Sequence, residues 1–279
     1  MFMQIRNSIL VIMFLFFAVS LNAQEEKGAW DLFKSDVSSA WDDFGNVGSQ
    51  IGSIGWKEVG YTGLFLGADA LLMQYDEDIR SLFWEKKDSI FVAKHGSEET
   101  YFEIVNEFGS GYSALAVPSV IYLSGLAFSN EELRTTGRLL TEAMLLSSVI
   151  SQTIKISAGR SRPFNNEGSN VWKPFSFTDR NNSFPSGHTT VAFTIATVLA
   201  HRIDKCWAYA SLYTLAASTG IARIYLDKHW ASDVLMSAGI GTISSLLILN
   251  AHEKTKNDKL GEGFNFSSGP YLFSVSYSF

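Results

Sequence analysis

The sequence predicts an all-α protein: a helical bundle of about six core helices, membrane-associated, with a short C-terminal β-hairpin. Three observations predict it. Apolar stretches recur from residue 59 to residue 250 without the alternation that marks a half-buried strand. Two of them, 108–130 and 234–251, carry no charge and are long enough to cross a bilayer. Beyond them the composition changes: Phe and Tyr alternate with Ser around Ser268-Gly269-Pro270, as in a small hairpin.

Residues 1–23 read as a signal peptide or N-terminal anchor. Arg6 supplies a positive start, Ile9 to Val19 is an apolar run, and Ala23 offers a small residue before Gln24. Leu21 is larger than a processing site prefers, which keeps the uncleaved anchor in view. On either reading the chain from about residue 24 begins outside the cytoplasm. Residues 24–58 read as an amphipathic helix and linker. Trp30, Phe33, Val37, Trp41 and Phe44 recur at steps of three and four, while Asp31, Asp36, Asp42 and Asp43 lie off that stripe. The stripe suits packing on the main domain or lying on a membrane, and "NVGSQIGSIG" after it reads as a flexible joint. Residues 59–250 form the helical domain, with helices expected near 59–74, 112–130, 137–158, 188–202, 207–226 and 230–250. Residues 251–279 are the tail that carries the hairpin.

Charge and cysteine content narrow the partners. With 22 basic and 28 acidic residues the net charge is −6, and Lys and Arg are scattered, so nucleic acid is excluded as a partner. Cys206 is the only cysteine, which rules out an intrachain disulfide and a cysteine zinc cluster. The five histidines include no H-E-x-x-H pair. No metal and no cofactor are expected. Arg134 with Arg138, Arg202 with Lys205, and Lys254, Lys256 and Lys259 fall at alternate ends of the last five helices. That pattern assigns these basic clusters to the cytoplasmic side.

Three polar clusters interrupt the apolar pattern, each at a helix end: Lys155 to Pro163, Pro185 to His188, and Arg223 to Asp233. The charge placement puts all three on the non-cytoplasmic side. Taken singly, each has an ordinary reading. Lys155 and Arg162 can be the basic end of a helix, Pro185-Ser186-Gly187 a helix cap, and His229 with Asp233 an i, i+4 surface pair. Together they are the parts of an anion site with acid–base chemistry. Lys155, Arg162 and Arg223 are fixed cations, and arginine's paired donors match phosphate oxygens. Ser186 and the Gly187 backbone N–H add neutral donors at a helix start. Asp233 can hold one nitrogen of His229 and leave the other nucleophilic, with His188 free as a general acid.

The three clusters follow the patterns K-x6-R-P, P-S-G-H and R-x5-H-x3-D, and the chain thereby resembles the type 2 phosphatidic acid phosphatase and vanadium haloperoxidase superfamily over about residues 112–250. One departure is Ala222, where the family's third motif carries Ser before the arginine. The resemblance implies a helical bundle in which the motifs meet in one pocket. By analogy His229 attacks phosphorus and forms a phosphohistidine, His188 protonates the leaving oxygen and then activates water, and Asp233 orients His229. Lys155, Arg162, Ser186, Gly187 and Arg223 bind the phosphoryl oxygens. The implied function is a metal-independent phosphatase for phosphomonoesters or pyrophosphates of lipids. A vanadium-dependent haloperoxidase or a soluble nonspecific acid phosphatase are the alternatives.

Overall fold

The structure, a computed structural model, describes residues 28–89, 97–260, 264–269 and 272–277. The segment 1–23, read as an export signal, lies outside the described residues. Among the described residues nine α-helices follow one another: α1 (Ala29–Gly52), α2 (Trp56–Met73), α3 (Asp76–Ser89), α4 (Ser97–Phe108), α5 (Gly111–Ala127), α6 (Glu131–Ala158), α7 (Gly187–Ile203), α8 (Cys206–Tyr225) and α9 (Ala231–Leu260). The protein is therefore essentially all helical. Phe264–Gly269 and Leu272–Tyr277 pair as an antiparallel ladder, β1 and β2, with Phe264 opposite Tyr277.

The six expected apolar stretches are α2 and α5 to α9. The added helices α3 and α4 are short and carry several charges, so they form no long apolar stretch. α3 starts instead with Asp76, Glu77 and Asp78 in its first turn, where carboxylates favour the positive end of the helix dipole. α5 is shorter than the uncharged stretch around it, because the chain turns at Ser129 in a left-handed conformation (φ +50°). α6 and α9 hold the stretches long and apolar enough to cross a membrane, Glu131–Ala158 and Ala231–Asp258. The expected flexible joint is mostly helix. α1 runs on to Gly52, because Val47 is buried, Asn46 donates to Thr255 Oγ1 at 2.9 Å and Gln50 donates to the Leu247 carbonyl at 3.4 Å. These tertiary anchors outweigh the low helix propensity of its glycines.

The described residues cluster into two compact units. One is drawn from Met1–Ser53, Leu115–Glu142 and Leu246–Phe279, the other from Ile54–Ala114 and Ala143–Ser245. In the first, α5 and α6 approach closely: a Cβ on Gly137 would stand 2.5 Å from the Tyr122 backbone nitrogen, so only glycine fits. Arg138 there binds Asp43 and Glu142, both at 2.7 Å, and meets His252 Nδ1 at 3.0 Å.

The second unit contains every motif residue. α7 and α8 form a helical hairpin turning at Asp204 (φ +49°), with a core of Ala192, Ala196 and Ala216 under Phe108, Phe193 and Leu212. Small side chains let the helix axes come close, and Thr197 bonds Tyr213 across the seam at 2.9 Å. α4 packs on α8 through Thr219, whose hydroxyl donates to the Val105 carbonyl at 2.8 Å, and through Phe102 stacked on Tyr225 at 4.1 Å. This packing brings Asn106, near the end of α4, beside Arg223.

Candidate active site

Lys155 lies in the last turn of α6 and is buried. Its ammonium donates to the Asn182 carbonyl at 2.9 Å and to the Pro185 carbonyl, which leaves one of its three donors for another acceptor. The helix stops at Gly159, which takes φ +60°. A Cβ there would stand 1.8 Å from the Lys173 carbonyl oxygen, so both the conformation and the space demand glycine. Arg160 then bridges to Trp172, and Arg162 follows in extended conformation before a 3-10 turn at Pro163–Asn165.

Ser186 caps α7: its hydroxyl accepts from the Thr189 N–H at 3.4 Å and from the Thr189 hydroxyl at 3.0 Å. Gly187 is the first residue of the helix, and a Cβ on it would meet nothing within 4 Å, so its backbone faces open space. His188 follows, partly buried. Cap and anion-site readings of Pro185-Ser186-Gly187 are thus compatible: the Ser186 oxygen is engaged by Thr189, while the helix start offers backbone N–H groups.

His229 corrects one expectation. It is not on a helical face shared with Asp233, because α9 begins at Ala231. Asp233 sits in the first turn of α9 and takes the Trp230 N–H at 2.8 Å, as an acidic residue does when it closes a helix start. His229 Nδ1 lies 2.7 Å from the Ser183 carbonyl oxygen and 3.5 Å from Asp233 Oδ2. A carbonyl only accepts, so Nδ1 carries the proton and donates it. In the neutral ring Nε2 is then unprotonated with its lone pair free. The direct partner of His229 is the Ser183 carbonyl, and Asp233 acts from slightly farther away.

Two arginines and Lys155 set the charge. Arg162 donates to Asp179 at 2.7 Å and Arg223 to Asn106 at 2.7 Å. The Nε of each is buried without a hydrogen-bond partner. Unmet guanidinium donors in a buried place suit an incoming anion. The histidines feel the same cations. Burial first, then the charges of Arg223, Arg162 and Lys155, push His188 down to about 4. Burial also pushes His229 down to about 3; hydrogen bonding to Asp233 opposes that, and the Arg223 and Lys155 charges add to it. Both imidazoles are neutral at neutral pH. Among the described residues no group of three or more His, Cys, Asp or Glu is placed to hold a metal.

The structure therefore gathers Lys155, Arg162, Ser186, Gly187, His188, Arg223, His229 and Asp233 in one unit. It adds residues that sequence reasoning missed. Arg160 is fully buried and donates to Asp233 Oδ1 at 2.6 Å, Ser232 Oγ at 2.7 Å, Asp76 Oδ2 at 2.7 Å and the Ser169 carbonyl at 2.8 Å. Its guanidinium lies over Trp172 at 5.0 Å and Trp230 at 5.6 Å. Ser183 donates its hydroxyl to Asp233 as well. Arg160 stands between Gly159 and Arg162 inside the first motif, which was the available signal. Asp76 lies far from the motifs in sequence and gave none.

The sequence model of the PAP2 superfamily matches residues 136–257, which hold all three motifs. Residues 136–257, somewhat less than half of the chain, belong to that superfamily. It is 47% identical over 64 residues to the lipid A 1-phosphatase of Porphyromonas gingivalis, covering 22% of this chain and 14% of that protein. It is 31% identical over 83 residues to phosphatidylglycerophosphatase B of Bacillus subtilis, covering 26% of this chain and 41% of that protein. The match thus spans less than half the length of either relative. The solved first transmembrane PAP2 type phosphatidylglycerolphosphate phosphatase from Bacillus subtilis has a TM-score of 0.50 at 22% identity. It covers 72% of this chain and 98% of that one, a likeness of fold.

Proposed function

We propose that this chain is a metal-independent phosphatase that hydrolyses phosphomonoesters or pyrophosphates of lipids through a phosphohistidine on His229. The observation that carries the reading is the His229 ring, neutral and held through Nδ1 by the Ser183 carbonyl, with Nε2 free among fixed cations. Nε2 forms a bond to phosphorus as the bond to the leaving oxygen breaks. His188 gives that oxygen a proton. Lys155, Arg162, Arg223 and the N–H groups of the Ser186–Gly187 helix start take up the charge on the phosphoryl oxygens. In the second half, His188 removes a proton from water, the water oxygen attacks phosphorus, and the P–N bond breaks to free phosphate and His229.

A neutral His188 must gain a proton before it can donate one. The cations that depress it supply the means: a phosphate dianion among them cancels their repulsion and raises the histidine toward the working range. The lipid class is supported by the relatives, both named for phosphorylated lipids. Membrane association is supported by the two long apolar helices and by exposed apolar side chains such as Trp56 and Leu64 on α2. The basic clusters support an active site on the non-cytoplasmic, periplasmic side. Phosphate release from lipid A, phosphatidylglycerophosphate, an undecaprenyl diphosphate-type lipid and nitrophenyl phosphate tests the reading. Vanadate-dependent bromide oxidation on the same preparation, without phosphate release, would overturn it in favour of a haloperoxidase.

A further inference from the structure

An amphipathic helix on a folded domain ordinarily buries its apolar stripe. α1 does the reverse. Asp36, Asp43, Asn46 and Gln50 share the face turned to α6 and α9. Asp36 pairs with Arg134 at 2.8 Å and accepts the Tyr122 hydroxyl at 2.9 Å. Asp43 pairs with Arg138, and Asn46 and Gln50 reach Thr255 and the Leu247 carbonyl. The opposite face shows Trp30 (65% exposed), Phe33, Val37 and Trp41 (81% exposed). The buried ion pairs fix the roll of the helix. Turning the aromatic face inward would break both of them and leave Asp36 and Asp43 unpaired.

We propose that the Trp30–Phe33–Val37–Trp41 stripe is an interfacial anchor, seated in the headgroup region of a lipid bilayer. The partner follows from the chemistry. Two indoles and a phenyl ring on one helix face are what the membrane boundary takes up. Asp31, Lys34, Asp36, Asp42 and Asp43 stop the same helix from crossing. The unit that holds α1 also exposes Leu115 and Phe128, and α1 is strapped to α6 and α9, the two helices long and apolar enough to span among the described residues. The apolar surface of α1 is therefore continuous in kind with that of its supports. A second copy of the chain is a poorer fit. From Trp30 to Trp41 the stripe runs roughly 16 Å and is one side chain wide, far below the ~800 Å² per partner of a stable interface. The exposed charges beside it, Asp31 and Asp42 against Lys34, give no attraction to anionic lipid, so the contact is apolar. This inference does not depend on the phosphatase reading.

The test uses full-length chain in phosphatidylcholine nanodiscs, with Cys206→Ser as background and a nitroxide label at Val37→Cys or, as control, at Asp42→Cys. The label at 37 is expected to collide with oxygen and be shielded from a water-soluble nickel complex, at a depth of about 5–10 Å. The label at 42 should be open to nickel, and neither value should change between 0.05 and 0.5 M salt. Equal nickel access at 37 and 42 would overturn the proposal. So would shielding at 37 that comes with dipolar coupling between labels, which would assign the face to a second copy. Activity is not a readout, so failure here leaves the catalytic reading untouched.

Discussion

Removing the Arg160 guanidinium should cost this protein more than removing any exposed charge. Arg160 is fully buried and is the shared cation of Asp76 and Asp233, at 2.7 and 2.6 Å, both carboxylates also fully or nearly fully buried. Breaking one buried pair by deleting a partner costs about 3–5 kcal/mol, because a desolvated charge is left behind. Arg160→Ala leaves two, and since they share a cation the costs do not simply add. We therefore expect at least that range, with the vacated space between Trp172 and Trp230 as a further loss. Arg160→Lys keeps one charge but cannot fork to both carboxylates and Ser232. Its cost should be about 1–3 kcal/mol, that of buried hydrogen-bond groups left unmet. Glu167→Ala is the control, because its pair with Lys173 is about half exposed and screened by solvent. The assay is thermal unfolding of the detergent-solubilised chain, followed by circular dichroism. Where Arg160→Lys still folds, kcat should fall while KM stays near wild type, since Arg160 positions Asp233 and touches no substrate. An Arg160→Ala melting temperature equal to that of Glu167→Ala would refute the reasoning.

Other outcomes follow from the same geometry. His188→Ala should slow turnover by about 10²–10⁴-fold on lipid substrates. The loss should be much smaller on nitrophenyl phosphate, whose leaving group needs little protonation; equal losses would reduce His188 to a wall of the pocket. Arg162→Lys or Arg223→Lys should lower kcat/KM by about 10–100-fold, the worth of one charge-assisted hydrogen bond; unchanged kinetics would show that charge alone suffices. By nuclear magnetic resonance, His188 of the free protein should stay neutral above about pH 4, and saturating vanadate should raise that value; an unshifted titration would place the anion elsewhere. Both histidines bind protons more weakly folded than unfolded, so stability is full above about pH 6.5 and falls as pH drops toward 4 and 3. A melting temperature flat from pH 7 to pH 4 would contradict those shifts.

Much of this was legible in the sequence, for identifiable reasons. Long apolar stretches announce helices because burial or lipid must cover them, so α2 and α5 to α9 could be read directly. The motif residues stand out in the sequence because charges and histidines at helix ends are costly unless used. What escaped depends on distant partners. Nothing near Asp76 says that Arg160 lies across from it, and nothing near His229 says that the Ser183 carbonyl accepts its N–H. The periodicity of α1 was read correctly, but not which face would dock. Arg134 and Arg138 decide that, and they stand about a hundred residues away. The stretch 46–55 reads as a joint for the same reason: its helical part, up to Gly52, is held by Thr255 and Leu247.

The central claim is a covalent phosphate on His229. Rapid mixing with radiolabelled substrate, an acid quench and peptide mapping by mass spectrometry should reveal an acid-labile phosphoryl adduct on the peptide that carries His229. The adduct should be absent from the His229→Ala protein, which should also show no turnover. A His229→Ala protein that still forms the adduct, or still turns over lipid phosphate at the wild-type rate, would contradict the account.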